Sequence, residues 1–92
     1  MNPEYHVASF IVLTQPDRLA TLLDLLPTLP GTELHQHDAI GKIIITIEAD
    51  STAAISRVTD TIGRQSGVLA CNMVFHQFES AAQLQREVAH DN

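Results

Sequence analysis

Two histidines with one residue between them, in the stretch HQHD, form the strongest metal-binding pattern in this sequence. His35 and His37 would point to the same side of an extended strand, because strand side chains alternate with a period of two. A zinc site needs three or four ligands, and no third ligand follows at a convincing spacing. We therefore expect surface imidazoles beside a turn here and no metal site.

The other potentially reactive side chains are isolated. Cys71 has no basic neighbour in sequence that would stabilise a thiolate and no C-x-x-C partner, which favours a buried structural cysteine. His6 and His76 should lie at the same end of two neighbouring strands, but alternation puts them on opposite faces. The carboxylates are scattered and the glycines are isolated, so neither a paired acid and base nor a phosphate loop is indicated. The sequence predicts a non-enzyme without a cofactor of its own.

Composition restricts the possible partners and the compartment. The chain has 92 residues, of which 45% are hydrophobic, and 11 Asp and Glu outnumber 5 Lys and Arg to give a net charge of −6. Five basic residues are too few to form a positively charged surface along a phosphate backbone, which excludes nucleic acid as a partner. Anionic membranes should repel the acidic chain. No apolar run approaches the ~18 residues of a membrane span, which predicts no membrane insertion. A single cysteine and the absence of a secretion signal predict a cytoplasmic protein.

The first half of the chain indicates a strand, a helix and a turn. Residues 5–14, YHVASFIVLT, are rich in β-branched residues and lead to Pro16, which suits the start of a helix. Pro27 should end that helix, and Pro30-Gly31 should form a turn. The apolar face of the helix recurs at i, i+3, i+4 and i+7: Leu19, Leu22, Leu23 and Leu26.

The second half indicates a hairpin, a helix and a last strand. Extended runs at about 32–38 and 42–49 flank a connector that contains Gly41. Asp50-Ser51-Thr52 offers N-cap oxygens for the next helix, and GVLACNMVFHQF at 67–78 is the last strand. The inward face of this second helix is Ile55, Val58 and Ile62.

The order β-α-β-β-α-β is that of the ferredoxin-like split βαβ fold, an α+β class. It predicts a four-stranded antiparallel sheet of order 4-1-3-2, with both helices on one face. Residues 1–79 should form this domain, and residues 80–92 a polar tail that is either a short helix or disordered. Two helices cover one face of such a sheet, so the other face is left open.

Alternation assigns the side chains of three strands to the two faces. In the first strand both sets are apolar, and a one-residue slip would reverse them. The inward set is Ala8, Phe10, Val12, Ile43, Ile45, Ile47, Leu69, Cys71, Met73 and Phe75. The outward set is Val7, Ser9, Ile11, Leu13, Ile44, Thr46, Glu48, Ala70, Asn72, Val74 and His76.

The open face would carry an apolar patch of Ile11, Leu13, Ile44 and Val74. A contiguous apolar patch of this kind usually marks an interaction site, because an open antiparallel face is normally polar. Two alternatives remain open from the residues alone. The domain could pair sheet on sheet as a homodimer, or the tail could fold back over the strands.

Three stretches carry a resemblance to a known family. VASFIV in the first strand, PGTELHQHDAIGKIIITIEA across the hairpin, and GVLACNMVFHQFE at the end together resemble the NapD family. Members are cytoplasmic chaperones for the catalytic subunit of periplasmic nitrate reductase. The resemblance covers residues 5–79 in the same order, and the tail beyond Glu79 has no counterpart in it.

The resemblance implies that the open sheet face binds the twin-arginine (Tat) signal peptide of the nitrate reductase precursor. Binding would hold the precursor back from the Tat translocase while the partner receives its molybdenum cofactor. A peptide helix could lay its apolar side on the patch, with its arginines near Glu48 or Asp38. Asn72 and His76 could hydrogen-bond the peptide. The whole outward set is therefore the predicted binding surface.

A second function class stays open. A small regulatory domain of the ACT type has the same topology and holds its ligand at a dimer interface. Such a protein should be a dimer at micromolar concentration and respond to a metabolite. The chaperone should be a monomer, or a weak dimer through the open face, and should ignore metabolites.

Overall fold

The computed structural model of the chain describes residues 4–80, and within them it contains the elements in the predicted order. The two α-helices are too short to cross a bilayer, as is every helix in these residues. The elements are β1 (Glu4–Thr14), α1 (Leu19–Leu25), β2 (Thr32–His37), β3 (Lys42–Ala49), α2 (Thr52–Gly63) and β4 (Val68–Ser80).

The four strands form one sheet in the order β2-β3-β1-β4, and each neighbouring pair is antiparallel. This confirms the predicted ferredoxin-like arrangement. Side chains from both helices and from one face of β1 and β3 form a single core, so both helices lie on the same side of the sheet. The buried core consists of Ala8, Phe10, Val12, Leu22, Leu26, Ile43, Ile45, Ile47, Ile55, Val58 and Ile62.

Proline and serine set the ends of the helices. A 3-10 turn over Pro16–Arg18 leads into α1, because proline has no N–H to donate and a preset φ angle. Pro27 ends α1 as predicted, since the chain tightens into a second 3-10 turn over Leu26–Thr28. At α2 the Ser51 hydroxyl accepts a hydrogen bond from the N–H of Ala54 at 3.1 Å. The predicted N-cap is thus confirmed, and it belongs to the serine.

The hairpin between β2 and β3 depends on Gly41. Its φ of +105° is one that other residues rarely adopt, and a Cβ there would overlap the carbonyl oxygen of Thr14. The carboxylate of Asp38 accepts hydrogen bonds from the N–H groups of Ile40 and Lys42, at 3.2 and 3.1 Å. One carboxylate oxygen of Asp38 therefore stabilises the backbone of the turn by accepting both hydrogen bonds.

The predicted polar tail falls almost wholly outside the described residues. β4 continues to Ser80, and residues 81–92 are not described. The boundary after residue 79 and the state of the tail stay predictions.

Candidate functional site

The sheet face turned away from the helices, called here the open face, has an apolar centre on β1 and β3. Ile11 lies directly opposite Ile44, both half-buried, and Leu13 lies opposite Lys42. Leu13 is 37% exposed, whereas Val12 beside it is fully buried. The predicted orientation of both strands is confirmed. The predicted residues on this part of the face are Val7, Ser9, Ile11, Leu13, Ile44, Thr46 and Glu48.

A bulge in β4 makes part of its predicted orientation wrong. Phe75 pairs with Ser9 and Met73 pairs with Phe10, which leaves Val74 unpaired between them. Beyond this extra residue the alternation is reversed. Phe75, predicted to face the core, lies on the open face and is 56% exposed.

At Ala70 and Asn72 the predicted orientation of β4 is correct. Asn72 pairs with Ile11, and Ala70 pairs with Leu13, so both are on the open face. A second irregularity leaves Leu69 unpaired and 66% exposed, although alternation predicted it inward. Val74, predicted on the open face, is the bulged residue and is 62% exposed. Cys71 pairs with the buried Val12, and burial raises the pKa of its thiol, so the thiol stays protonated at neutral pH.

The same bulge turns His76 to the helix side, where it meets His6. The Nδ1 of His6 and the Nε2 of His76 are 2.9 Å apart, and the rings are stacked with centroids at 5.2 Å. His6 is buried, and His76 pairs with the buried Ala8. Two predictions are therefore wrong: the histidines share a face, and His76 is not on the open face. Their contact requires one imidazole to donate and the other to accept, and it joins the far end of β4 to β1.

A bulge in β2 also separates the two histidines of HQHD. Leu34 pairs with Ile45 and Gln36 with Ile44, so His35 is the extra residue. The Nε2 of His35 lies 2.8 Å from the Thr46 hydroxyl on the open face, whereas His37 pairs with the buried Ile43. The expectation that His35 and His37 share one side of the strand is wrong. Within residues 4–80 there is no cluster of three or more His, Cys, Asp or Glu that could hold a metal.

The charged groups of the open face lie at its ends. Glu48 pairs with Val7 near the start of β1, and Lys42 pairs with Leu13 near its end. Partial burial of the Tyr5 ring raises the pKa of its phenol, and the neighbouring Glu48 carboxylate raises this pKa further, through hydrogen bonding and through its negative charge. Glu33, which was not among the predicted site residues, lies opposite Thr46. Two carboxylates therefore share one end of the face.

An open depression of about 520 Å³ lies at the opposite end, beside the hairpin. Ile44 is an apolar lining residue of this depression, and the other lining side chains are polar or charged. The depression therefore borders the apolar centre of the open face at Ile44. Its lining residues are His35, Gln36, His37, Asp38, Lys42 and Ile44.

Tyr5 can be titrated alone, because the chain has one tyrosine and no tryptophan. We expect the ultraviolet absorbance of its tyrosinate to rise with a midpoint above 10.0. The raised pKa means that the protonated phenol stabilises the fold below pH 10, and that this contribution is lost as the pH rises through the midpoint. Glu48→Gln should lower the midpoint toward 10 without abolishing the shift, since burial remains. Glu33→Gln is the control and should leave the midpoint unchanged. An unchanged midpoint in Glu48→Gln would contradict the contact between Tyr5 and Glu48.

Comparison with known proteins gives one consistent family. The sequence matches the family model described as NapD protein over residues 5–80. A chaperone NapD of Paracoccus pantotrophus is 39% identical over 72 residues, which is 78% of this chain and 63% of that protein, so the match spans less than two thirds of the relative. A chaperone NapD of Escherichia coli K12 is 29% identical over 80 residues, 86% of this chain and 92% of that one.

A solved structure agrees with the fold. The solution structure of the E. coli Tat proofreading chaperone protein NapD matches with a TM-score of 0.75 at 28% sequence identity. The match covers 84% of this chain and 82% of the other.

Proposed function

The chain belongs to the NapD family of chaperones, and we propose that it binds the twin-arginine signal peptide of a periplasmic nitrate reductase catalytic subunit. Binding takes place in the cytoplasm and holds the precursor back from export until its cofactor is inserted and it has folded. The role is that of a binding protein rather than an enzyme. The solved relative is a Tat proofreading chaperone, and its likeness to this chain supports the assignment.

The observation that carries the proposal is the open face itself. Ile11 and Ile44 lie side by side at its centre, with Leu13 next to them, and neither helix covers them. An apolar sheet face of this kind suits the apolar side of a peptide helix. A twin-arginine signal peptide combines an apolar stretch with a basic segment. The chain has a net charge of −6, so it attracts the basic segment.

Apolar contacts should supply most of the affinity. Each aliphatic side chain that becomes fully buried contributes about 1.5–3 kcal/mol, whereas an ion pair exposed to water contributes about 0–1 kcal/mol. Phe75 adds an aromatic ring to the β4 side of the surface. The binding surface proposed here is therefore the predicted set without His76, which faces His6, and with Phe75 added.

Calorimetric titration tests the proposal. We expect the signal peptide of the nitrate reductase from the same organism to bind one to one, with a dissociation constant in the micromolar range or below and a negative heat-capacity change from apolar burial. A Tat signal peptide of an unrelated enzyme is the control and should bind at least tenfold more weakly.

Sedimentation of the same samples distinguishes the chaperone from the alternative function, a regulatory dimer. A tight dimer that the peptide does not dissociate, together with no heat of binding for either peptide, would contradict the proposal. That result would favour the regulatory dimer of the ACT type. A monomer that forms a one-to-one complex with the peptide agrees with the chaperone.

A further inference from the structure

The end of the open face nearest Ser80 carries apolar side chains that neither helix covers, because both helices pack on the other side of the sheet. Phe75 lies opposite Ser9 and is 56% exposed. Tyr5 is 39% exposed on the same face, and Val7, which lies between Tyr5 and Ser9 on β1, is half-buried. Apolar side chains that are exposed side by side usually mark a contact surface. We call Tyr5, Val7 and Phe75 the near patch.

The helix side of the same end is polar. The Nδ1 of His6 lies 2.9 Å from the Nε2 of His76 there. An apolar segment laid over this side would take imidazole nitrogens out of water without pairing them, which is unfavourable. Met73 is exposed on the helix side as well, but it lies beyond His76 as seen from Ser80. An apolar segment that reaches this end of the sheet therefore matches the open face better than the helix side.

The C-terminal tail of the chain begins at this end and has a matching length. Ser80 is the last residue of β4, and residues 81–92 follow it. The strand advances about 17 Å from Phe75 to Ser80, at about 3.4 Å per residue. Residues 81–92 would span about 18 Å as an α-helix. A tail that reverses direction at Ser80 therefore reaches Phe75 and stops short of Ile11 and Ile44, because Ile11 pairs farther along β4.

The sequence of the tail, AAQLQREVAHDN, has the pattern of a helix with one apolar side. Three apolar residues recur at i, i+3 and i+7, and three polar residues fall on the opposite side at about 100° per residue. Such a helix can bury its apolar side on the near patch and keep its polar side in water. The apolar set is Ala81, Leu84 and Val88, and the polar set is Gln83, Arg86 and His90.

We propose that residues 81–92 fold back as a helix over the near patch and compete with the signal peptide for that end of the open face. The tail is attached at Ser80, so its effective concentration at the patch is on the order of millimolar, far above that of a second copy of the chain. Ordering the tail costs conformational entropy that offsets much of the gain from apolar burial, so the contact is weak and reversible. The effect on peptide binding rests on the proposed function, whereas the contact itself does not.

Tryptophan fluorescence of the full chain tests the contact without any peptide, because the chain has no tryptophan of its own. Phe75→Trp places a probe in the near patch, and Met73→Trp places one on the helix side of β4. The tail variant Leu84→Glu, Val88→Glu adds two carboxylates to the apolar side of the tail, which should release it. The emission of the Phe75→Trp probe should then move to longer wavelength as water reaches the ring, and that of the Met73→Trp probe should stay the same.

The matched control is Gln83→Glu, His90→Glu, which adds two carboxylates to the polar side of the tail and should leave both probes unchanged. An unchanged emission of the Phe75→Trp probe in the tail variant, or a shift of the Met73→Trp probe instead, would overturn the contact. An emission that depends on protein concentration and not on the tail variant would also overturn it, because a second copy of the chain would then cover the near patch.

Calorimetric titration with the signal peptide tests the competition. The tail variant should bind the peptide about three- to tenfold more tightly than the parent, because the tail no longer occupies part of the binding surface in most molecules. The matched control should bind with the affinity of the parent. Equal affinities of the tail variant and the parent would refute the competition. If no form of the chain binds the peptide, the proposed function is refuted, and the emission of the Phe75→Trp probe alone decides the tail contact.

Discussion

Ile44→Glu should abolish binding of the signal peptide while leaving the domain folded. Ile44 lies at the centre of the open face, opposite Ile11, and is half-buried in the free chain. The change removes an apolar contact of about 1.5–3 kcal/mol and obliges the peptide to desolvate a carboxylate. We expect at least a 100-fold increase in the dissociation constant by calorimetry, since 1.4 kcal/mol corresponds to about tenfold. The free energy of unfolding should change by less than about 1 kcal/mol.

The control for this change is Ile40→Glu. It introduces the same charge at a side chain that is 78% exposed in the hairpin turn. Its affinity for the peptide should stay within about threefold of the parent, because solvent-exposed charges contribute little. If Ile44→Glu binds as tightly as Ile40→Glu, the peptide does not use the open face.

Ile45→Ala should lower the free energy of unfolding by about 2–5 kcal/mol. Ile45 is fully buried opposite Phe10 and Leu34, on the helix side of the same strand. The loss combines transfer of the side chain with the cavity left behind. A chain of this length has about 5–14 kcal/mol in total, so the effect is large. Urea denaturation followed by circular dichroism should give a lower midpoint with an unchanged slope.

The neighbouring change Ile44→Ala completes the comparison. It removes the same atoms one residue earlier in the chain but on the open face, so it should cost much less stability than Ile45→Ala. Its effect should appear in peptide binding instead. Equal destabilisation by the two changes would mean that the open face is covered in the free protein, for example by a second copy of the chain.

Two of the three strand irregularities, those at Val74 and His35, change the composition of the open face. The bulge at Val74 removes His76 from the open face and brings Phe75 and Gln77 to it, opposite Ser9 and Val7. The bulge at His35 brings an imidazole to Thr46, between the carboxylate end and the hairpin depression. Both changes occur in edge strands, where an extra residue disturbs pairing on one side only.

The fold and the central strands were predictable from the sequence because their signals are strong and local. Alternating isoleucines at 43, 45 and 47 indicate a strand with one buried face, and Ile55, Val58 and Ile62 indicate a helix with one buried side. The connections between these elements allow few topologies. The open face and its centre, Ile11 and Ile44, follow from that order, and the structure agrees.

The ends of the face were decided only in the tertiary structure. A bulge leaves no mark on the alternation of a run such as Met73-Val74-Phe75, where every residue is apolar. The register of β4 against β1 decides where the alternation is reversed, and this reversal brings the Nε2 of His76 to 2.9 Å from the Nδ1 of His6. The two residues are far apart in sequence, so local pattern carries no information about their contact. The same holds for Glu33 and Glu48, whose shared position at one end of the face arises from strand register.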